Sequence, residues 1–154
     1  MENVLYVLDV TFNICRLLVI PSIFILVFIL IKKGLKFYTV ALLLPFVSLI
    51  LIMQSFPYLA RVKLNNVMDE EVIYFEVGEP LDKAAVFKSL KNLKYVPSKN
   101  SHPVGPKIKI TIVTDKSRRD LFIRADVNNE SVYWLYDSKY SYSRTNNIGY
   151  LKLK

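Results

Sequence analysis

The hydrophobic pattern changes character once along the chain. Up to Phe56 the apolar residues form long, nearly unbroken runs; beyond it they alternate or recur at short helical spacing. Leu17 to Ile31 carries no charge, with only Pro21 and Ser22 among the apolar side chains, and Phe37 to Phe56 carries none either. A hydrocarbon core about 30 Å thick takes roughly 20 helical residues. The second run meets that length by itself. The first meets it when extended back to Val10, which admits Asn13 and Arg16. Arg16 then has to lie near an interface, where its stem can snorkel. Pro21 and Pro45 fall inside the runs, where local distortion and neighbouring helices re-satisfy the backbone. The pattern predicts a transmembrane helical hairpin over residues 1–56, with spans at about 10–31 and 37–56.

Residues 57–68 read as a linker, and residues 69–154 as an extramembrane domain. Glu71 to Val77 alternates, with Val72, Tyr74 and Glu76 on one face and Ile73, Phe75 and Val77 on the other, the period of a strand. Gly78-Glu79-Pro80 breaks it, and Pro80 suits the first turn of a helix expected to run to about Lys94. Val86, Leu90 and Leu93 form its apolar stripe, flanked by Phe87; Lys88, Lys91 and Asn92 lie on its polar side. Pro97 to Pro106 reads as a loop. An antiparallel meander follows. Lys107 to Thr114 points Ile108, Ile110 and Ile112 inward; Asp115 to Arg119 is a charged turn; Asp120 to Val127 points Leu121, Ile123, Ala125 and Val127 inward. After a turn at Asn128-Asn129, Ser131 to Tyr136 puts Val132, Trp134 and Tyr136 on one face. Tyr140 to Arg144 and Ile148 to Leu153 supply one or two further strands. A helix packed on one face of an antiparallel sheet is the expected α+β solution.

Charge adds orientation. The net charge is +8, from 21 basic and 13 acidic residues, and 17 of the basic and 11 of the acidic residues lie in 57–154. Between the apolar runs stands Lys32-Lys33-Gly34-Leu35-Lys36. The positive-inside rule places these lysines in the cytoplasm. The N-terminal segment, with Glu2 and Asp9, and the C-terminal domain are then extracytoplasmic; Arg61 and Lys63 after the second run pull mildly the other way. A cleavable signal peptide is not expected, since the start is acidic and Lys32-Lys33 follows the run in place of small residues.

Candidate chemistry is sparse. The single Cys15 excludes an intrachain disulfide, and the single His102 excludes a multi-histidine site. Only four glycines occur, in no phosphate-loop spacing, and Asp69-Glu70-Glu71 lacks the spacing of a calcium loop. The expectation is a protein without catalytic residues, cofactor or metal. Two features stand out. Asp9, Asn13 and Arg16 recur at helical spacing and form a polar strip at one end of the first span, read as interfacial or as a contact with another membrane helix. Tyr133-Trp134-Leu135-Tyr136, followed by Tyr140, Tyr142 and Tyr150, concentrates aromatics near Lys139 and Arg144. At least half of these are expected in the core or in cross-strand pairs. Tyr133 and Tyr142 are read as outward and, with Lys139 and Arg144, as a protein-binding face, because Tyr, Trp and Arg dominate interface energetics. The basic balance favours an acidic partner. Nucleic acid is not expected on the extracytoplasmic side.

The segment Tyr133-Trp134-x-x-x-x-x-Tyr140-x-Tyr142-x-x-Thr145-Asn146-x-Ile148-Gly149 resembles the C-terminal sheet segment of small two-span bacterial inner-membrane proteins, some of which resemble immunity proteins against antibacterial toxins. The resemblance covers the last quarter of the chain. It implies toxin binding by surface complementarity without catalysis, and it carries no fixed functional residues. The alternative is an accessory or assembly subunit of a larger inner-membrane complex, in which the Asp9–Arg16 strip is a helix contact. A membrane-bound enzyme would have to work with carboxylates or tyrosines alone.

Overall fold

The structure, a computed structural model, describes residues 1–33, 37–93 and 101–153; the side chains of residues 30, 32, 33 and 37–41 lie outside the description. Gly34, Leu35 and Lys36 of the basic loop and Pro97 to Asn100 of the expected Pro97–Pro106 loop also fall outside it. The chain forms two compact units, Met1–Phe56 and Pro57–Lys154.

In the first unit, helix α1 spans Glu2–Lys33 and helix α2 begins at Phe37. Both are long and apolar enough to cross a membrane, over Glu2–Ile29 and Leu42–Met68, and only 17% of each apolar window is buried. The core helix of a soluble protein hides its apolar face, whereas here Leu17, Phe24 and Ile31 are more than two-thirds exposed, at 76%, 71% and 79%. That exposure is consistent with a helix whose solvent is lipid. The residues that are buried on α1, Leu5, Asp9, Phe12, Cys15 and Ser22, recur at three, four or seven positions, one stripe of a helix. Pro21 and Pro45 do not interrupt their helices.

Helix α2 does not stop where the second span was expected to end. It runs to Met68, so the expected linker 57–68 is helix and belongs to the second unit. Arg61, Lys63, Asn65 and Asn66 give the segment a polar average. Ala60, Leu64, Val67 and Met68 nevertheless recur at helical spacing and are buried at 4% exposure or less.

Five strands follow in simple antiparallel order: β1 (Val72–Val77), β2 (Pro103–Thr114), β3 (Arg118–Asp126), β4 (Val132–Asp137) and β5 (Gly149–Lys152). The short helix α3 (Lys83–Lys91) packs against β1 and β5, the two edge strands. The sheet is therefore curled, and α3 lies where its edges approach. Phe87 meets Phe75 of β1 edge-on at 5.0 Å, and the Ser89 hydroxyl accepts the Lys152 N–H of β5 at 3.0 Å. Val86 and Leu90 of α3 are fully buried with Ile110, Ile112, Leu121, Ile123, Leu135 and Leu151. This is the expected α+β architecture. The helix begins later than expected: Asp82 caps it, its carboxylate accepting the N–H groups of Ala84 and Ala85, and Pro80 sits in the turn before.

The strand boundaries also move. β2 starts at Pro103, not Lys107, because a register shift between Val104 and Ile108 absorbs the proline–glycine stretch, with Gly105 at φ 71°. β3 starts at Arg118, so Arg119, expected in a turn, is a buried strand residue. Val127, expected inward, is 43% exposed just beyond the strand. Tyr140 to Arg144 is not a strand; Ser141–Arg144 is a short 3₁₀ turn.

Candidate protein-binding face

Register fixes which side chains share a face. Ile123 pairs with Leu135, Leu135 with Gly149, and Tyr133 with Leu151, so the Leu135 side of β4 is the core side. Alternation then places Val132, Trp134 and Tyr136 on the other side, beside Phe122 and Arg124 of β3 and Tyr150 and Lys152 of β5. The aromatic face is therefore centred on Trp134.

Trp134 and Tyr150, directly opposite across β4 and β5, meet edge to face at 5.0 Å. The Trp134 Nε1–H donates to Asp126 Oδ2 at 2.7 Å, which sets the indole's orientation. The same carboxylate accepts the Ser101 hydroxyl and, through Oδ1, the Asn128 N–H at 2.9 Å. Burial pushes the Asp126 carboxyl up, but hydrogen bonds from Ser101, Trp134 and the N–H groups of Asn128 and Asn129 outweigh it and hold the pKa below the usual aspartate value. Arg124 is the cross-strand partner of Trp134 and donates its Nε–H to the Gly105 carbonyl at 3.1 Å. Lys107 Nζ stands 5.8 Å from the Phe122 ring centre. Lys109 pairs with Asp120 at 3.0 Å and lowers that carboxyl's pKa. Tyr136 pairs with Phe122 and is buried, which raises its phenol.

Beside this face, Arg118, Arg119, Asp120, Ser138 and Lys139 line an open depression of about 310 Å³. Within the fold there, Arg119 and Asp137 lie 3.6 Å apart, both nearly inaccessible. Burial raises the Asp137 carboxyl, against the pull of the Lys139 N–H and the Arg119 charge.

The expected site residues separate. Lys139 and Arg144 are exposed, as a binding role requires. Tyr142 is not outward: it is 2% exposed, held in the 3₁₀ turn. Tyr133 is half-buried on the Leu135 side, so it too is not the outward anchor expected of it. Trp134 and Tyr150 take that place. Part of the signal was in the sequence: Leu151 is the one aliphatic of β5, and taking it as core turns Tyr150 outward, whereas β4 offers Val132 on one face and Leu135 on the other. Arg124 carried no such signal, since a lone arginine between Ile123 and Ala125 looks like any solvated strand position.

In α1 the polar strip also splits. Asp9 is buried, Asn13 is half-buried and donates its amide to the Asp9 backbone carbonyl at 2.9 Å, and Arg16 is exposed. Among the described residues no group of three or more His, Cys, Asp or Glu is placed to hold a metal ion. No protein-family model, curated protein or solved structure matches the chain.

Proposed function

We propose that the protein is a noncatalytic, membrane-anchored binding module. In this reading the hairpin holds the domain at a bacterial inner membrane, with the lysine loop cytoplasmic and the domain on the extracytoplasmic side. The domain binds another protein, as an immunity factor that neutralises an antibacterial toxin. The observation that carries the reading is the outer face of the curled sheet, where Trp134 and Tyr150 stand among Arg124, Lys107 and Lys152. Aromatic and arginine side chains on a rigid sheet are what interface hot spots are made of. The excess of basic residues in the domain favours an acidic partner and speeds the encounter. The test is a toxin challenge: cells carrying the full chain are exposed to a toxin encoded beside its gene. Survival that depends on the chain is expected, and equal killing with and without it would remove the immunity reading.

A second reading rests on the Asp9–Asn13–Arg16 strip of α1, of which Arg16 is exposed. In an accessory subunit of a larger membrane complex this arginine would meet a polar group of another membrane helix. Copurification of a stable membrane complex that Arg16→Leu dissolves would favour it.

A further inference from the structure

We propose that Arg124 is the carboxylate receptor of the β3–β4–β5 face, and that the partner presents an Asp or Glu side chain to it; this rests on the protein-binding reading above. Arg124 is half-buried at the centre of the face, opposite Trp134 on β4 and two residues from Phe122 on its own strand. Its guanidinium is pre-set. The register shift in β2 puts Gly105, at φ 71°, where its carbonyl accepts the Arg124 Nε–H at 3.1 Å. A residue carrying a side chain would be strained at that backbone angle, which favours glycine at the position whose carbonyl holds the arginine.

Among the described residues no carboxylate pairs with Arg124. Asp126, on the same face, is engaged by Trp134, Ser101 and the Asn128 N–H. Asp120 faces Lys109 and Arg118. A fixed guanidinium offers its Nη–H groups as a planar fork, and a carboxylate fits that fork with two parallel hydrogen bonds. Trp134, its cross-strand neighbour, and Tyr150, one strand further on, supply apolar surface on the same face. Lys107, drawn over Phe122, adds positive potential without filling the fork.

An anionic lipid headgroup shares part of this chemistry. The polypeptide is favoured because the Trp134 Nε1–H is bound within the domain to Asp126. A tryptophan that anchors at a membrane interface keeps its polar edge for the headgroup region.

Trp134 is the chain's single tryptophan, so its emission reports from within the face itself. The full chain in nanodiscs of neutral phosphatidylcholine is titrated with poly-L-glutamate. A saturable, salt-sensitive change in Trp134 emission is expected. Arg124→Gln should weaken it about tenfold or more. Arg124→Lys, which keeps the charge but not the fork, should weaken it by a smaller factor, and Lys116→Gln, in the turn after β2, should leave it unchanged. Poly-L-glutamate binding that is equal in the wild type and both Arg124 variants would overturn the assignment. So would an emission change produced by phosphatidylglycerol vesicles and not by poly-L-glutamate. In the toxin challenge, loss of protection by folded Arg124→Gln supports the assignment. Full protection by that variant overturns it while leaving the immunity reading intact. No protection by the wild type, with Arg124-dependent poly-L-glutamate binding preserved, removes the immunity reading and leaves the receptor standing.

Discussion

Arg61 Nη1 donates a 2.7 Å hydrogen bond to the carbonyl of Ile148, joining the last turns of α2 to the start of β5 across 87 positions of sequence. The next residue, Gly149, sits under the same side chain: a Cβ there would stand 3.2 Å from Arg61 Cδ and 2.9 Å from Leu93 Cδ2. The close approach of helix and strand is possible because residue 149 has no side chain. Two losses follow. Arg61→Ala removes a charge-assisted bond to a buried strand end and should cost about 1.5–3 kcal/mol. Gly149→Ala forces Leu93 or Arg61 aside and should cost roughly 1–3 kcal/mol. Denaturant unfolding of the detergent-solubilised chain, followed by Trp134 emission, measures both. An unchanged midpoint for both variants would mean that α2 does not brace the sheet.

The helix phase gives a paired comparison. Leu90 is fully buried and Lys91 exposed, one position apart on α3. Leu90→Ala should destabilise the domain by roughly 2–5 kcal/mol through lost transfer energy and the cavity left behind. Lys91→Ala should change it by less than about 0.5 kcal/mol, apart from the loss of its contact over the Phe87 ring. Equal effects at the two positions would contradict the packing of α3 against the sheet.

These two cases show what was legible in the sequence. The α3 stripe and the isoleucines of β2 could be read from period alone, because Val86 and Leu90, and Ile108, Ile110 and Ile112, recur at the spacing of one helix face and one strand face. The end of α2 could not: Arg61, Lys63, Asn65 and Asn66 give residues 57–68 a polar average, and the bond from Arg61 to Ile148, 87 positions away, leaves no local pattern. The binding face was half legible. The aromatic cluster is apparent, but reading Tyr133 as outward turns Trp134 inward, and one position of strand phase exchanges them. Tyr142 was lost to a 3₁₀ turn that has no alternating pattern to betray it. Arg124 depends on a bulge in the neighbouring strand, which single-strand periodicity does not reveal.

Asp126 predicts an acid-sensitive step. Its pKa is lower in the folded protein than the usual value of about 3.9. A depressed folded pKa stabilises the protein above the unfolded value, and the contribution is lost as pH falls from there through the folded value. Asp137 has the opposite sign: its raised pKa gives a contribution that is present at low pH and lost as pH rises. Asp126→Asn should therefore lower stability at neutral pH and flatten the acid limb of the stability–pH curve below about pH 4. Trp134 should lose its fixed orientation in the same variant, since its Nε1–H partner changes. Urea midpoints between pH 3 and 7 measure the first effect and near-ultraviolet circular dichroism the second. An acid limb as steep in Asp126→Asn as in the wild type would exclude Asp126 as the responsible group.

The orientation of the hairpin is open to direct measurement, and Arg16 enters the same argument. At 1.5 Å per residue, Arg16 lies about 24 Å along α1 from Lys32, within a hydrocarbon core of about 30 Å. With Lys32 at the cytoplasmic interface, the Arg16 stem can reach the opposite one, and its exposure on α1 leaves that path open. In the proposed topology the lysines set the orientation, and Arg16 opposes it weakly together with Arg61 and Lys63 beyond the second run. A reporter that is active only outside the cytoplasm should therefore be active when fused after Lys154. Neutralising Lys32, Lys33 and Lys36 together should lower that activity, because the remaining basic residues near the spans then lie on the far side. Adding Arg16→Leu to the neutralised chain should restore part of it. Activity solely from a cytoplasmic reporter at Lys154 would reverse the topology. It would also put the Trp134 face in the cytoplasm, where a secreted toxin could meet it only after crossing the membrane.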